Sequence, residues 1–234
     1  MNILNEFYDK KTILADIHSK LEKNLKKSLS TKNDIFEKVE IKARSFTIVC
    51  IILKDKYNLL AHQKEVLTIF DELFADVIIS IYLAGCALDK PAQGLLRRVI
   101  ELGVGIVYLW DLPHKFWGWK DNDIALNFNE MISHINSPEY TILVSKENPK
   151  YQREALIDRK KADEIYGSLS DTIHGKISTF ESVLRDRYDF NLTDWTEHLN
   201  KTEEIENILL DLWRRRFTHV AEELHNKCPQ LQRI

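Results

Sequence analysis

From Pro91 to Leu112 the chain reads PAQGLLRRVIELGVGIVYLWDL, apolar on nearly every side of a helical projection. A helix of that kind belongs in the middle of a core. Pro91 suits a first helical position, where a missing N–H costs nothing, and Pro113 follows the expected end. In the interior of this segment only Arg97, Arg98 and Glu101 are charged, so they are the first residues to examine for chemistry.

The flanking segments carry the same periodicity in weaker form. Ile3, Phe7, Ile13, Leu14, Ile17, Leu21, Leu25 and Leu29 form a stripe that predicts an N-terminal helix over about 1–30. Lys20, Lys23, Lys26 and Lys27 lie on its outer side, as a solvated face or an RNA-binding strip. Residues 35–54 begin amphipathic and then run through FTIVCIIL. No partner run with turn chemistry flanks that octet, so a buried helix is preferred to a strand that could not satisfy its own backbone. A long apolar helix is expected over 59–88, with Asp89 placed to cap the central one.

After the central helix, DLPHKFWGWKDNDIALN holds Trp110, Trp117 and Trp119 on a stretch broken by Pro and Gly. It reads as a Trp-rich loop whose rings either seal a core edge or stack on bases or a ligand. A short helix over 124–136 is followed by SPEYTILVSKENPKYQ, in which the run Tyr140 to Val144 predicts a loop or hairpin insertion near 137–150. Helices are expected over 152–174 with Gly175 as the stop, over 176–187, and over 194–227, the last with a stripe from Trp195 to Leu224. The sum is an all-α, up-and-down helical bundle in one domain spanning 1–234.

Composition supports that class. Seven glycines and five prolines in 234 residues fall far below the usual ~12 % combined, which leaves few turns for a many-stranded fold. A net charge of -3 excludes a generally basic nucleic-acid coat but not a local basic patch. Cys50, Cys86 and Cys228 are unclustered, so neither a disulfide framework nor a zinc spacing is present, and a reducing cytoplasm fits. The N-terminal residues lack a signal-peptide pattern, and the apolar run Val77 to Leu88 is short of the ~20 residues a membrane span needs. The expectation is a soluble cytoplasmic chain with no membrane partner.

Two constellations could carry chemistry. Gly94, Arg98, Glu101, Gly105 and Tyr108 share one face of the central helix, where small residues let another backbone approach and a desolvated Arg and Glu need partners or a polar cavity. Tyr166, Ser170 and His174 share a face of a later helix, with Asp171 three residues before the imidazole. If the two faces meet, a carboxylate orients the imidazole and an arginine is left to hold an anion. The alternatives are a salt bridge fixing helix register and a hydrogen-bonded core histidine. A di-iron site needs a pair of Glu-x2-His motifs, and Glu222 to His225 stands alone, as does the four-spaced Glu130 to His134; P-loops, nucleophile elbows and His/Cys ligand sets are missing, so neither a metal nor a cofactor is expected.

The segments LLRRVIELGVGIVYL and YGSLSDTIHG, in this order and at this separation, resemble bacterial helical proteins of the HEPN superfamily, over roughly residues 65–185 with a core at 59–187. The resemblance implies a dimerising helical bundle that cleaves RNA without metal as a toxin or defence effector, or else serves as a nucleotide-binding or protein-binding module. It also implies a homodimer, with RNA, a nucleotide, an antitoxin or a defence protein as partner. The usual R-x4-6-H signature is not met at His174; Arg214-Arg215-Arg216-Phe217-Thr218-His219 matches it instead. By resemblance His219 would be the base and Arg214 the phosphate clamp, or His174 with Arg98 on the other face. Arg97, Arg98, Glu101, Tyr166, Ser170, Arg215, Trp117 and Trp119 are then candidates for holding substrate. The residues alone also fit a basic face balanced by Asp211, Glu222 and Glu223, and a nucleotidyl-transfer pocket is a third, weaker reading.

Overall fold

Why the chain closes around its central helix is visible at α5 (Asp89–Asp111), in which every residue from Gly103 to Trp110 is buried. The computed structural model describes residues 13–31, 34–121, 123–151, 154–174 and 188–232. Before α5 come α1 (Ile13–Ser30), α2 (Asp34–Lys56), α3 (Ala61–Val66) and α4 (Thr68–Gly85). After it come α6 (Pro113–Lys120), α7 (Phe128–Ile135), α8 (Pro138–Glu147), α9 (Arg159–Ile173), α10 (Leu192–Arg216) and α11 (Thr218–Lys227), and a short 3-10 turn, Pro229–Gln232, ends the described chain. No strand occurs among the described residues, and the protein is an all-α helical bundle. α5 packs against α3, α4, α6, α7, α9 and α10, while α2 lies across α4, α10 and α11.

The tight helix crossing is at Gly103, not at Gly94 or Gly105. A Cβ at Gly103 would lie 2.4 Å from Leu209 Cδ1 of α10, whereas Gly94 has open space. The Trp213 indole of α10 donates to the Gly103 carbonyl at 3.1 Å and sits edge-on to Phe46 and Phe70, each 4.9 Å away. One glycine thereby lets α10 reach the backbone of α5 and closes the core from three sides.

Several expected boundaries move. FTIVCIIL is helical as expected, within α2, and its burial follows helical spacing: Phe46, Val49, Ile52 and Leu53 are all fully buried. The helix expected over 59–88 is interrupted at Leu67. The Trp-rich stretch is not a loop: Trp110 ends inside the core of α5, and Trp117 and Trp119 ride on α6, started by Pro113 at its first position. Phe116 is the buried residue of α6, with Trp117 and Trp119 at 5.0 and 6.4 Å, so the rings seal a core edge and Trp117 alone is exposed.

The hairpin insertion near 137–150 is also corrected, to helix α8. Ser137 caps it by accepting from the Tyr140 N–H, Pro138 opens it, and Tyr140, Thr141 and Val144 bury on one side. The single helix expected over 194–227 breaks at Phe217, which is extended at φ -111° and ψ 106°. The helix expected over 176–187, the Gly175 stop of the helix expected over 152–174 and the first turns of the N-terminal helix lie outside the described residues.

Candidate functional site

The two motif segments do dock, and they do so along antiparallel rows. Asp158 caps α9 by accepting from the Lys161 N–H. Asn136 pins the approach to α9 with bonds to the N–H groups of Leu156 and Ile157 and to the Ile157 carbonyl. Gln93, Arg97 and Glu101, spaced by four, then face Thr172, Ser170 and Tyr166 of α9. Thr172 Oγ1 donates to Gln93 Oε1 at 2.8 Å. Arg97 donates through Nε to Ser170 Oγ at 3.1 Å and through Nη2 to the Tyr166 hydroxyl at 2.7 Å. Tyr166 in turn donates to Glu101 Oε1 at 3.4 Å, and its ring stacks on Phe128 with centroids 4.0 Å apart.

Arg97 is half-buried in this seam, its guanidinium carbon 4.9 Å from the Tyr166 ring centroid. Among the described residues it forms no ion pair, so two hydroxyls and an aromatic face orient the cation without neutralising it. That is the arrangement of an anion clamp: the fork is held by groups that leave its positive charge in place.

Arg98, expected here, points elsewhere. It is exposed and pairs with Asp76 at 2.6 Å and Glu72 at 2.9 Å, both on α4. Burial pushes the Asp76 carboxyl up from the usual range, and Arg98 pulls it back. The bridge is thus the register-fixing alternative, placed on α4 rather than α9. Tyr108, on the same expected face, donates to Glu130 of α7, which also holds Lys115. His174 is the C-cap of α9: its N–H bonds to the Ser170 carbonyl and its side chain is exposed. The seam therefore brings together Arg97, Glu101, Tyr166 and Ser170, leaves His174 one turn beyond Ser170, and excludes Arg98.

Beside Gln93 the seam opens into a polar hollow of about 240 Å³ lined by Asp89, Gln93, Asp194, Glu197, His198 and Lys201. His198 Nε2 lies 3.0 Å from Ser80 Oγ, and Ser80 donates to the Ala92 carbonyl at 2.8 Å. A consistent proton pattern has neutral His198 donating from Nε2 to Ser80. Burial drives the imidazole pKa down to about 3, and it also lowers the Lys201 ammonium, against Glu197 and Glu204. None of Ser80, Gln93, His198 or Lys201 was singled out from the sequence. Gln93-Arg97-Glu101 was legible as an i, i+4, i+8 row, while His198 hides in an apolar stripe.

The C-terminal match behaves differently. Arg216 is 4 % exposed and forms a bidentate pair with Asp111 at 2.6 and 2.8 Å, plus bonds to Glu147 and Tyr140. Burial opposes its charge, but the Asp111 carboxylate more than offsets this and raises its pKa. Arg215 is taken by Asp211 and Glu154, each at 2.8 Å. The Arg214 Nε is sealed without a partner among the described residues. His219 lies beyond the break at Phe217, against Glu222 at 3.3 Å and edge-on to Tyr57 at 5.3 Å. Arg215 and His219 are therefore not successive turns of one helix, as their spacing had implied.

Among the described residues no cluster of three or more His, Cys, Asp or Glu could hold a metal, and no helix is long and apolar enough to cross a membrane. Neither a protein-family model nor a curated protein nor a solved structure matches this chain.

Proposed function

We propose that this chain binds RNA through the α5–α9 seam and cleaves it as a HEPN-like, metal-independent ribonuclease. The observation that supports the reading is Arg97: an arginine oriented by Tyr166 and Ser170 with no carboxylate partner among the described residues. An RNA phosphate in the seam supplies the missing negative charge. The ribose 2′-OH attacks the adjacent phosphorus, His174 takes its proton, and the 5′-oxygen leaves with a proton returned from the medium or the imidazolium. The products are a 2′,3′-cyclic phosphate and a 5′-hydroxyl end. Arg97 holds the charge that develops on the phosphoryl oxygens, and Glu101 positions Tyr166 behind it. A toxin or defence role, with a second copy of the chain or an inhibitory protein as partner, accompanies this reading.

A second reading, binding without cleavage, is favoured by one feature: the exposed His174 bonds only through its main chain among the described residues. Retention of labelled single-stranded RNA and cleavage of total RNA, each with and without a chelator, separate the two. Arg97→Ala is expected to lower cleavage by about 100-fold or more, the scale of losing one charge-stabilising donor, and to weaken retention through the lost phosphate contact. Arg98→Ala and His219→Ala are expected to change neither. His174→Ala that still binds but no longer cleaves supports the enzyme; binding by all variants with no cleavage by wild type supports the module. Arg97→Ala acting like wild type removes the seam from consideration.

A further inference from the structure

The polar hollow beside the seam, between the starts of α5 and α10, holds unused donors and acceptors that contacts behind them keep in place. Thr172 donates to Gln93 Oε1 at 2.8 Å, which turns the Gln93 amide and leaves its Nε2 donors over. Ser80 gives its proton to the Ala92 carbonyl, so the Nε2 of the buried His198 donates to Ser80 and its Nδ1 keeps a lone pair. That Nδ1 has no partner among the described residues and is not sealed in packing, so the floor of the hollow presents an acceptor.

Glu197 and Lys201 supply charge at the same place. As i, i+4 neighbours on α10 their Cβ atoms lie about 5–6 Å apart, yet they form no ion pair with each other, and neither has another ion-pair partner among the described residues. Glu204, the other carboxylate that acts on Lys201, is taken by Lys161 at 3.1 Å. Burial works against the Lys201 ammonium, so a half-buried cation stands without a counter-ion among the described residues. Asp89 and Asp194, also in the lining, already interact with other groups. The unused set is therefore two donors, Lys201 and Gln93 Nε2, and two acceptors, Glu197 and His198 Nδ1. A plain anion would meet Glu197, and a plain cation would meet Lys201. At about 240 Å³, under the ~300–1,000 Å³ of a drug-sized site, the hollow admits one small molecule, and all four groups reach the same occupant.

We infer that the hollow binds a free α-amino acid through both of its charged groups. Lys201 and Gln93 Nε2 donate to the carboxylate, while Glu197 and His198 Nδ1 accept from the ammonium. A free amino acid carries both charges on one carbon, whereas a peptide carries them at opposite ends, too far apart for this volume. The space that remains suits a small side chain. The site needs no RNA and leaves Arg97, one turn further along α5, to the seam.

Isothermal titration of the full chain with L-serine, L-serinamide and N-acetyl-L-serine tests this. Serine is expected to bind at least tenfold more tightly than the amide, which lacks the carboxylate, or the acetyl derivative, which lacks the ammonium. Glu197→Gln, at an exposed position that should fold normally, and Lys201→Met, which keeps an unbranched chain, are each expected to weaken serine at least tenfold. Glu197→Gln should narrow the gap between serine and N-acetylserine, and Lys201→Met the gap between serine and serinamide, which a merely structural role would not do. Arg97→Ala is expected to bind serine as wild type does, so failure of the RNA reading and failure of this one remain distinguishable. A wild-type Kd for serine weaker than about 1 mM overturns the proposal. So does equal affinity for either half-charged analogue, or wild-type affinity in both Glu197→Gln and Lys201→Met.

Discussion

The seam between α5 and α9 and the C-terminal corner at α10 and α11 are built from the same letters, an Arg–Arg run and a histidine, yet they use arginine in opposite ways. At the corner Arg216 is 4 % exposed and bound through two nitrogens to Asp111, so its charge is cancelled where it sits. At the seam Arg97 is held by hydroxyls, which fix its direction and cancel nothing. A buried cation must be neutralised or the fold loses stability, whereas a half-buried one beside hydroxyls can keep its charge for a ligand. Partner chemistry, more than the presence of an Arg and a His at a given spacing, separates a brace from a candidate site.

The most forceful way to test this contrast is to remove the brace. Arg216→Met keeps the volume but leaves the Asp111 carboxylate and the Tyr140 hydroxyl facing an apolar chain. Breaking one side of a buried pair costs about 3–5 kcal/mol, so the urea midpoint should fall sharply with an unchanged slope. Arg216→Met combined with Asp111→Leu should recover much of the loss, because no buried carboxylate is then stranded, Glu147 being half exposed to water. If Arg216→Met unfolds at the wild-type midpoint, the corner is not a brace and its arginines return as candidates for chemistry.

That corner also shows where the sequence stops being readable. Nothing in RRRFTHVAEE announces an end to a helix, and no Gly or Pro lies there. The break at Phe217 is imposed from outside. Asn148 donates to the Arg214 and Arg215 carbonyls, Thr218 donates to the Glu147 carbonyl, and the Phe217 ring is drawn into the core beside Trp110 at 5.2 Å. The same applies to α8, whose β-branched residues read as strand until Ser137, Pro138 and burial of Tyr140 and Val144 turn them helical. By contrast the second half of α5 was legible, because a helix buried on all sides, as α5 is from Gly103 to Trp110, writes its burial into every position. At the seam the right segments were legible but the right arginine was not: Arg98 at i–3 and Arg97 at i–4 from Glu101 both lie near its face, and only the direction in which α4 and α9 approach decides between them.

A second test concerns the hollow beside the seam and is read from pH. His198 ordinarily titrates near 6.5, but burial holds it neutral down to about 3 in the folded chain. Between those values the unfolded chain binds a proton that the folded chain refuses. This contribution to stability is complete above pH 6.5 and is lost as pH falls toward 3, at up to about 1.4 kcal/mol per pH unit. Glu206 slopes the other way: fully buried, with neither oxygen hydrogen-bonded among the described residues, its carboxyl is raised by burial and favours the fold at low pH. Comparing wild type with His198→Gln cancels that opposing slope, and the variant should lose less stability from pH 6.5 to 4. An imidazole proton signal of His198 that titrates near 6.5 in the folded protein would show that the hollow is wet to its floor.

The smallest expected effect on stability belongs to the residue with the largest expected effect on function. Arg97→Ala removes two hydrogen bonds to hydroxyls and a contact with the Tyr166 ring, but strands no carboxylate, because none is paired with it among the described residues. Ser170 and Tyr166 stand at a half-buried seam, where water can replace the lost donor, so the cost should stay near 1 kcal/mol. Arg97→Lys sharpens the point. An ammonium keeps the charge but cannot bond Ser170 and Tyr166 at the angles the guanidinium fork reaches, so RNA affinity should fall with almost no change in midpoint. A loss of 3 kcal/mol or more in Arg97→Ala, measured by the same urea titration as Arg216→Met, would place both arginines in one class. The distinction between an arginine that holds the bundle and one that waits for an anion would then disappear.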